Sequence, residues 1–164
     1  MRKFEKISIE QWNKDTSELN LVNMLKPDYN NIKFPQRGTS KSAGYDLYSP
    51  ISLSIMPNEQ VMVPTGLKVC MEDDDVLLII IRSSLGIKKG ISIPNQTGVI
   101  DADYYNNIDN EGHFWICLKN NTNKQFDIAV GDRISQAIFI KYGIVENDEP
   151  IKKNREGGFG STNK

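Results

Sequence analysis

The stretch Val76–Ile81, Val-Leu-Leu-Ile-Ile-Ile, decides the fold class of this chain. All of its residues are apolar and most are β-branched, so both faces of an extended segment would carry apolar side chains. The run is short for a helix and far too short to cross a bilayer. It therefore predicts a central strand that is buried within a sheet.

Further short apolar runs lie on both sides of this strand, and residues typical of turns separate them. Ile51–Ile55 alternates with a period of two, which predicts a strand with one buried face. No segment of helical periodicity interrupts the series, so the pattern predicts an all-β sandwich or barrel and not a βαβ architecture. The acidic stretch Glu72–Asp75 is expected to be a solvated turn. The other predicted strands are 61–63, 67–71, 114–118 and 134–140.

The composition excludes several classes of protein. The 164 residues are 38% hydrophobic, which is typical of one folded domain with a core. The net charge of −1 excludes a broad basic surface for nucleic acid, so a ligand that carries phosphate needs a local site. No segment resembles a signal peptide or a membrane span. Cys70 and Cys117 form no metal motif, and the expected compartment is the reducing cytoplasm.

The two ends of the chain differ from the middle. Residues 1–27 are expected to form an extension packed on the domain, with Ser8 and Gln11 as the capping box of a helix. Residues 28–145 are expected to form the β domain. Residues 146–164 are polar and rich in glycine, which is typical of a flexible arm. The apolar face of the N-terminal helix would consist of Trp12, Leu19, Val22 and Leu25.

The segment Arg82–Gly86, Arg-Ser-Ser-Leu-Gly, follows the central strand and carries residue types that bind phosphate. Arginine can contact two phosphate oxygens at once, and hydroxyl groups donate to such oxygens. A buried arginine that binds loop carbonyls, with the serines in a turn, explains the segment equally well. The residues alone leave both interpretations open.

A carboxylate and an amide are prominent in the segment Asn95–Tyr104. Asp101 follows an apolar pair, so we expect it to be half-buried at a strand end, where a carboxylate can act as a general base on water. An aspartate that caps a turn is the alternative. Asn95 offers a donor and an acceptor, which suit the edge of a uracil-like base and equally suit a turn.

Two further segments combine turn residues with charged groups. In Gly131–Gln136 the chain is expected to turn and enter a strand, with Arg133 in a buried ion pair with Asp132. Arg155–Thr162 combines a guanidinium group, glycine amides, two hydroxyl groups and Phe159, the parts needed to close over a nucleotide. Flexible tails are also rich in glycine, so this segment alone is weak support.

Taken in order, five segments resemble the five motifs of the trimeric, all-β dUTPases. Each motif is short, but five in order over residues 32–162 form a specific signature. The resemblance implies a distorted β-barrel or jelly-roll-like sandwich that hydrolyses dUTP to dUMP and pyrophosphate. Such an enzyme keeps uracil out of DNA and supplies dUMP for thymidylate synthesis. The segments are 42–47, 82–86, 98–104, 131–136 and 155–162.

The resemblance also implies a role for individual residues. Asp101 would activate the water that attacks the α-phosphorus, Tyr104 would exclude a 2′-hydroxyl, and Asn95 would read uracil. Mg²⁺ would be bound mainly by the triphosphate, and Asp46 would reach it through water. Arg82, Asp132 and Arg133 also look like support for neighbouring loops. The implied substrate-binding residues are Arg82, Ser83, Ser84, Asn95, Gly98, Ile100, Tyr104, Gln136, Arg155, Phe159, Gly160, Ser161 and Thr162.

The same resemblance implies a homotrimer with shared active sites, in which the arm of one subunit closes over the site of a neighbour. No membrane and no direct contact with nucleic acid is expected, and a regulatory protein partner stays an open question. The lone His113 is expected to be structural.

The sequence departs from the family pattern at two points. The longer polar loop 105–112 stands where a basic residue, a glycine and an acidic residue are usual after the third motif, and Asn163 stands where glycine is usual. The related dCTP deaminases share the fold, but Cys117 occupies the position of their catalytic glutamate. A nucleotide-binding trimer without catalysis, using residues 1–27 or 105–112 for a partner, is the alternative from another class.

Overall fold

The computed structural model describes residues 1–17, 19 and 27–150. Short strands dominate this part of the chain, as the sequence predicts. The helices are α1 (Ile9–Ser17), α2 (Ser83–Lys89) and two 3-10 helices, Tyr29–Asn31 and Ala102–Tyr104. The strands are β1 (Lys3–Lys6), β2 (Gln36–Arg37), β3 (Tyr45–Tyr48), β4 (Leu53–Ile55), β5 (Gln60–Pro64), β6 (Leu67–Cys70), β7 (Asp75–Ile80), β8 (Ile91–Ser92), β9 (Gly98–Asp101), β10 (Trp115–Asn120), β11 (Phe126–Ile128) and β12 (Arg133–Lys141).

The strands form four sheets in which every pair of neighbours is antiparallel. The largest sheet has the order β2-β3-β12-β7-β9, and the others are β5-β10-β8, β1-β6 and β11-β4. The prediction of an all-β fold is confirmed. Within the described ranges none of these sheets closes on itself, so the architecture is a set of open sheets and not a closed barrel. No helix in the described residues is both long and apolar enough to cross a bilayer.

The central strand predicted from Val76–Ile81 is β7, which lies between β12 and β9. Its inward side chains, Leu77 and Ile79, belong to the hydrophobic core, while Val76, Leu78 and Ile80 on the other face are half-buried. The alternating burial shows that one face of β7 supplies the core and the other remains partly accessible in a single chain.

The N-terminal segment is part of the same core. Strand β1 pairs with β6, and Ile7 and Trp12 are 1% and 0% exposed. Ser8 caps α1, because its Oγ accepts a 3.0 Å hydrogen bond from Gln11 N. The second half of the predicted capping box is missing, since the Gln11 side chain donates to Asp15. Helix α1 ends at Ser17, and the predicted contributions of Val22 and Leu25 lie outside the described residues.

Two local predictions were wrong. The segment Arg82–Gly86 enters helix α2, which the sequence did not predict because Ser83, Ser84 and Gly86 have low helix propensity. The acidic stretch is not a fully solvated turn, since Asp75 belongs to β7 and its side chain is completely buried. Arg2 provides the compensating charge, with Nη2 2.5 Å from Asp75 Oδ1 and Nε 2.7 Å from Oδ2.

The pair of Arg2 with Asp75 predicts a stability difference at acidic pH. The guanidinium hydrogen bonds, opposed by burial, lower the pKa of Asp75 from 3.8 to about 2. Because the folded-state pKa lies below the unfolded one, the stabilisation is present above about pH 4 and is lost as the pH falls towards 2. In Arg2→Met we expect a lower melting temperature at pH 7, and a difference from wild type that becomes smaller as the pH falls towards 2. Calorimetry from pH 7 to 2 on both proteins tests this, and superimposable pH profiles would contradict it.

Candidate active site

A carboxylate with two arginines forms the first group of predicted site residues. Asp46 lies on β3 and is 9% exposed. Its Oδ1 accepts a 2.8 Å hydrogen bond from Arg82 Nε, and its Oδ2 lies 3.4 Å from Arg133 Nη1. Because two guanidinium groups face one carboxylate, the cluster keeps a net positive charge, which suits a phosphate chain.

Gln136 and two serines complete this first group. Gln136 of β12 pairs in register with Asp46 on one side and with Ile80 of β7 on the other. A Cβ at Gly44 would lie 2.4 Å from Gln136 Oε1, so a side chain at this position would displace the Gln136 amide from its place. Ser83 and Ser84 are exposed at the start of α2. Amide, hydroxyl and guanidinium donors therefore meet near the Ile80 end of β7.

The proposed base and the proposed sugar-contacting residue form a second group. Asp101 ends β9 and is exposed, whereas Tyr104 ends the following 3-10 helix and is 5% exposed. The Tyr104 hydroxyl donates to His113 O at 3.0 Å and accepts from Asn110 Nδ2 at 2.8 Å. The aromatic ring is thus fixed at its far end by two polar partners.

The turn before β9 and the strand β9 itself carry the remaining described residues of the substrate-binding set. Asn95 is exposed in this turn, where Gln96 adopts a left-handed backbone with φ of 64°. Gly98 packs against Ile79 of β7, and Ile100 is half-buried. The exposed Asn95 side-chain amide is available to a planar polar ligand, whereas the backbone N–H groups of Gln96 and Thr97 donate within the turn.

The register of the large sheet separates the two groups within one chain. Asp101 pairs with Val76 of β7, whereas Gln136 and Asp46 lie level with Ile80, four positions further along the strand. At a rise of about 3.3 Å per residue these levels are about 13 Å apart. A cavity of about 220 Å³ beside the first group does not reach Asp101 or Tyr104. Its lining residues are Arg82, Leu85, Phe126, Ile128, Asp132, Arg133 and Ile134.

Two expectations, for Arg133 and Asp101, differ from the structure, and one of the open alternatives for Arg82 is not observed. Arg133 pairs with Asp46 and not with Asp132, because Asp132 remains in the turn and accepts a hydrogen bond from Ala129 N. Arg82 binds the Asp46 carboxylate, not loop carbonyls. Asp101 is exposed in the single chain and not half-buried, since β9 is the edge strand of its sheet. The predicted residues Arg155, Phe159, Gly160, Ser161 and Thr162 lie outside the described part of the chain.

The lone histidine has a structural environment. His113 is completely buried, its Nε2 accepts a 2.9 Å hydrogen bond from Gly66 N, and its Nδ1 lies 2.6 Å from Asp15 Oδ2. Because Nε2 accepts, Nδ1 carries the proton and donates it to Asp15. His113 thereby joins α1 to the segment before β10.

Asn110, which contacts Tyr104, was missed by the sequence analysis, and only the departure of loop 105–112 from the family pattern pointed to it.

Cys117, the position that distinguishes the deaminase alternative, is half-buried in β10. Burial raises the pKa of its thiol. The thiol is therefore protonated at neutral pH and does not offer the charge of a catalytic glutamate.

Comparison with known proteins places the chain among dUTPases. The sequence profile of the dUTPase family matches residues 30–163. The deoxyuridine 5′-triphosphate nucleotidohydrolase of Lactococcus lactis subsp. lactis is 44% identical over 132 residues, covering 80% of this chain and 88% of the relative. The Haemophilus influenzae protein of the same name is 37% identical over 143 residues, covering 82% and 90%.

Solved structures agree with the sequence comparison. The dUTPase of Streptococcus mutans superimposes with a TM-score of 0.70 at 35% identity, covering 88% of this chain and 98% of that one. The dUTPase of phage phi11 of S. aureus shares the fold at 19% identity with a TM-score of 0.68, covering 93% and 97%. A variant of that phage enzyme, at 19% identity and a TM-score of 0.66, covering 93% and 97%, was described with a coordinated structural Mg(II) ion. The chain belongs to the dUTPase family and is an enzyme that hydrolyses dUTP to dUMP and pyrophosphate.

Proposed function

We propose that this dUTPase acts as a homotrimer in which each active site combines residues from different subunits. A general base must reach its water, and through it the substrate, within hydrogen-bond distances. In one chain the level of Asp101 is about 13 Å along β7 from that of Gln136 and Asp46. This separation is the observation that carries the proposal, because the β9 edge of a neighbouring subunit can supply Asp101 to the first group. The trimeric form follows from the resemblance to the five-motif enzymes.

In the proposed reaction Asp101 accepts a proton from a water molecule as its oxygen attacks the α-phosphorus of dUTP. The bond between the α-phosphorus and the bridging oxygen to the β-phosphate breaks, and pyrophosphate leaves with that oxygen. The exposed carboxylate of Asp101 suits this role, because it is accessible to water and to a neighbouring subunit. Holding water and triphosphate in line supplies much of the rate.

Selectivity is assigned to Tyr104 of the second group and to the residues in and before β9. Asn95 and the backbone of its hairpin read the uracil edge, with Gly98 and Ile100 shaping the pocket. Tyr104 packs against the deoxyribose and leaves no space for a 2′-hydroxyl. The anchored hydroxyl of Tyr104 supports this assignment, since a ring held at one end resists displacement by a larger sugar.

The phosphates are assigned to the first group and to the C-terminal arm. Ser83, Ser84 and Gln136 donate to phosphate oxygens, and Arg82 holds Asp46 in place. Residues 146–164 form the arm that closes over a neighbour's site, as a segment distinct from the domain 28–145 and the extension 1–27. In that arm Arg155, Ser161 and Thr162 bind the outer phosphates, and Phe159 and Gly160 lie over the base.

Magnesium is proposed as the cofactor, bound mainly by the triphosphate. Asp46 fits an outer role, since both its oxygens face arginine side chains and a water molecule would have to bridge it to the ion. The described residues contain no group of three or more side chains arranged to hold a metal directly. When bound, Mg²⁺ neutralises charge on the phosphate oxygens.

The cytoplasm, where such an enzyme removes dUTP and supplies dUMP, is the proposed compartment.

Complementation between two inactive variants tests the shared site. Asp101→Asn and Ser83→Ala are prepared separately, unfolded together in equal amounts and refolded, and pyrophosphate release from dUTP with Mg²⁺ is measured. If one subunit supplies Asp101 and a neighbour supplies Ser83, about a quarter of the sites in random trimers have both residues, so about a quarter of wild-type turnover should return.

The control is each variant unfolded and refolded alone, which should stay inactive. An affinity tag on one of the two variants measures how well subunits mix, because untagged subunits are retained with tagged ones only in mixed oligomers. If mixed oligomers form and the two-variant mixture still shows no recovery, each site lies within one subunit and the proposal fails.

A further inference from the structure

We propose that Asn110 is a positioning residue that sets the selectivity for deoxyribose by holding the hydroxyl of Tyr104. This inference rests on the proposed role of Tyr104 as the wall against a 2′-hydroxyl. Asn110 lies in the loop 105–112, which departs from the family pattern, so the five motifs assign no role to it.

The Asn110 side chain joins the sugar-contacting residue to its loop. Its Nδ2 donates to the Tyr104 hydroxyl at 2.8 Å and to His113 O at 3.0 Å. Its Oδ1 accepts from Asn107 Nδ2 at 2.9 Å and from Gly112 N at 3.1 Å. Both amide hydrogens and both lone pairs of Oδ1 are therefore used.

The orientation of this amide follows from its partners. His113 O can only accept and Gly112 N can only donate, so the nitrogen of Asn110 must face His113 and its oxygen must face Gly112. The Tyr104 hydroxyl, which donates to the same His113 O, then accepts from Asn110. The three groups form a closed triangle that permits one arrangement of hydrogen bonds.

Helix α1 holds this loop from outside. Ser8 donates to the Glu111 carboxylate through N at 3.1 Å and through Oγ at 2.5 Å, and Lys68 lies 3.2 Å from the same carboxylate. Asp15 accepts from the His113 ring. Glu111 and His113, which follow Asn110 in the loop, are thus fixed to the N-terminal segment, and this anchoring makes Asn110 a firm support for the Tyr104 ring.

Rigid support matters because dUTP and UTP differ by one oxygen atom. A steric wall rejects that atom only if the ring cannot move aside by a fraction of an ångström. Without the Asn110 donor the Tyr104 hydroxyl loses one of the two hydrogen bonds that anchor it, and the ring can tilt. We therefore expect kcat/KM for UTP to rise relative to kcat/KM for dUTP, without a general loss of turnover.

The test measures kcat/KM for dUTP and for UTP in wild type and in Asn110→Ala. We expect the ratio of dUTP to UTP to fall about tenfold, as for the loss of one positioned hydrogen bond. Tyr104→Phe, which lacks only the hydroxyl, should reduce the ratio similarly. The double variant should be no worse than either single one, because both remove the same contact.

The matched control is Thr122→Ala, which also removes loop-closing hydrogen bonds, to Asn120 and Lys124, in a loop that follows β10 and is separate from the loop 105–112. It should lower the melting temperature without changing the ratio. An Asn110→Ala protein that melts earlier but keeps the wild-type ratio would show a purely structural role and overturn the inference.

Tyr104→Phe provides the second variant if the alanine protein does not fold. It leaves the Asn110 side chain and its hydrogen bonds to Asn107, Gly112 and His113 in place and removes only the hydroxyl that Asn110 contacts, so the same fall in the ratio is expected, and an unchanged ratio overturns the inference. Tyr104→Ala separates the two proposals. If it leaves the ratio unchanged, the proposed role of Tyr104 fails; if it abolishes selectivity while the Asn110 variants do not, only the positioning role fails.

Discussion

Replacing Asp101 with asparagine should lower kcat for dUTP by about 10²- to 10⁴-fold, the usual contribution of a general base. Asparagine keeps the size of the side chain but cannot accept the proton of the attacking water. Binding of dUTP should change little, because the base acts in the transition state and contributes little to ground-state affinity. Asp101 is exposed at the end of the edge strand β9, so the substitution creates no cavity and the fold should be kept.

Asp103→Asn is the matched control for this variant. Asp103 is also exposed and lies two residues further along, but it has no role in the proposed reaction. Steady-state pyrophosphate release gives kcat, and calorimetric titration of dUTP into the slow variant gives its affinity. Turnover by Asp101→Asn at the wild-type rate would remove Asp101 from its role. An equal loss in both variants would point to the charge of the segment and not to one base.

The fold was predictable from the sequence because its strongest signals are local. The apolar run at 76–81 became the inner strand β7, and the period-two segment 51–55 became β4. The partner of Asp75 was not predictable, because Arg2 is 73 positions away and only the assembled sheets bring the two side chains together. Helix α2 was missed for the opposite reason: its own residues favour a turn, and the tertiary fold overrides that preference.

The candidate site was predictable as a set of residues but not as an arrangement. The five motifs name Asp46, Arg82 and Arg133, yet nothing in their order indicates that both arginines face one carboxylate. Nor do the motifs indicate that Asp101 lies level with Val76 while Gln136 lies level with Ile80. The register of a sheet fixes such distances, and a motif does not encode register. Residue roles therefore remain predictions, whereas the family and its reaction are established by the comparisons.

Removing residues 155–164 should leave a folded protein that turns over dUTP at least about 100-fold more slowly. The fold should survive because every residue of the described hydrophobic core lies between Ile7 and Ala137. Activity should fall because Arg155, Ser161 and Thr162 are assigned to the phosphates, and loss of a single donor to developing charge costs about 10²- to 10³-fold.

A shorter truncation makes this experiment specific. Removing only residues 163–164 keeps all of the fifth motif and should leave kcat/KM near that of wild type. Circular dichroism and size-exclusion chromatography report whether each protein keeps its fold and oligomeric state, and pyrophosphate release reports activity. If the longer truncation unfolds, the arm is structural; if it stays folded and fully active, the arm has no part in the reaction. If the longer truncation stays folded and oligomeric but hydrolyses dUTP slowly, residues 155–164 contribute to the reaction although the core does not need them.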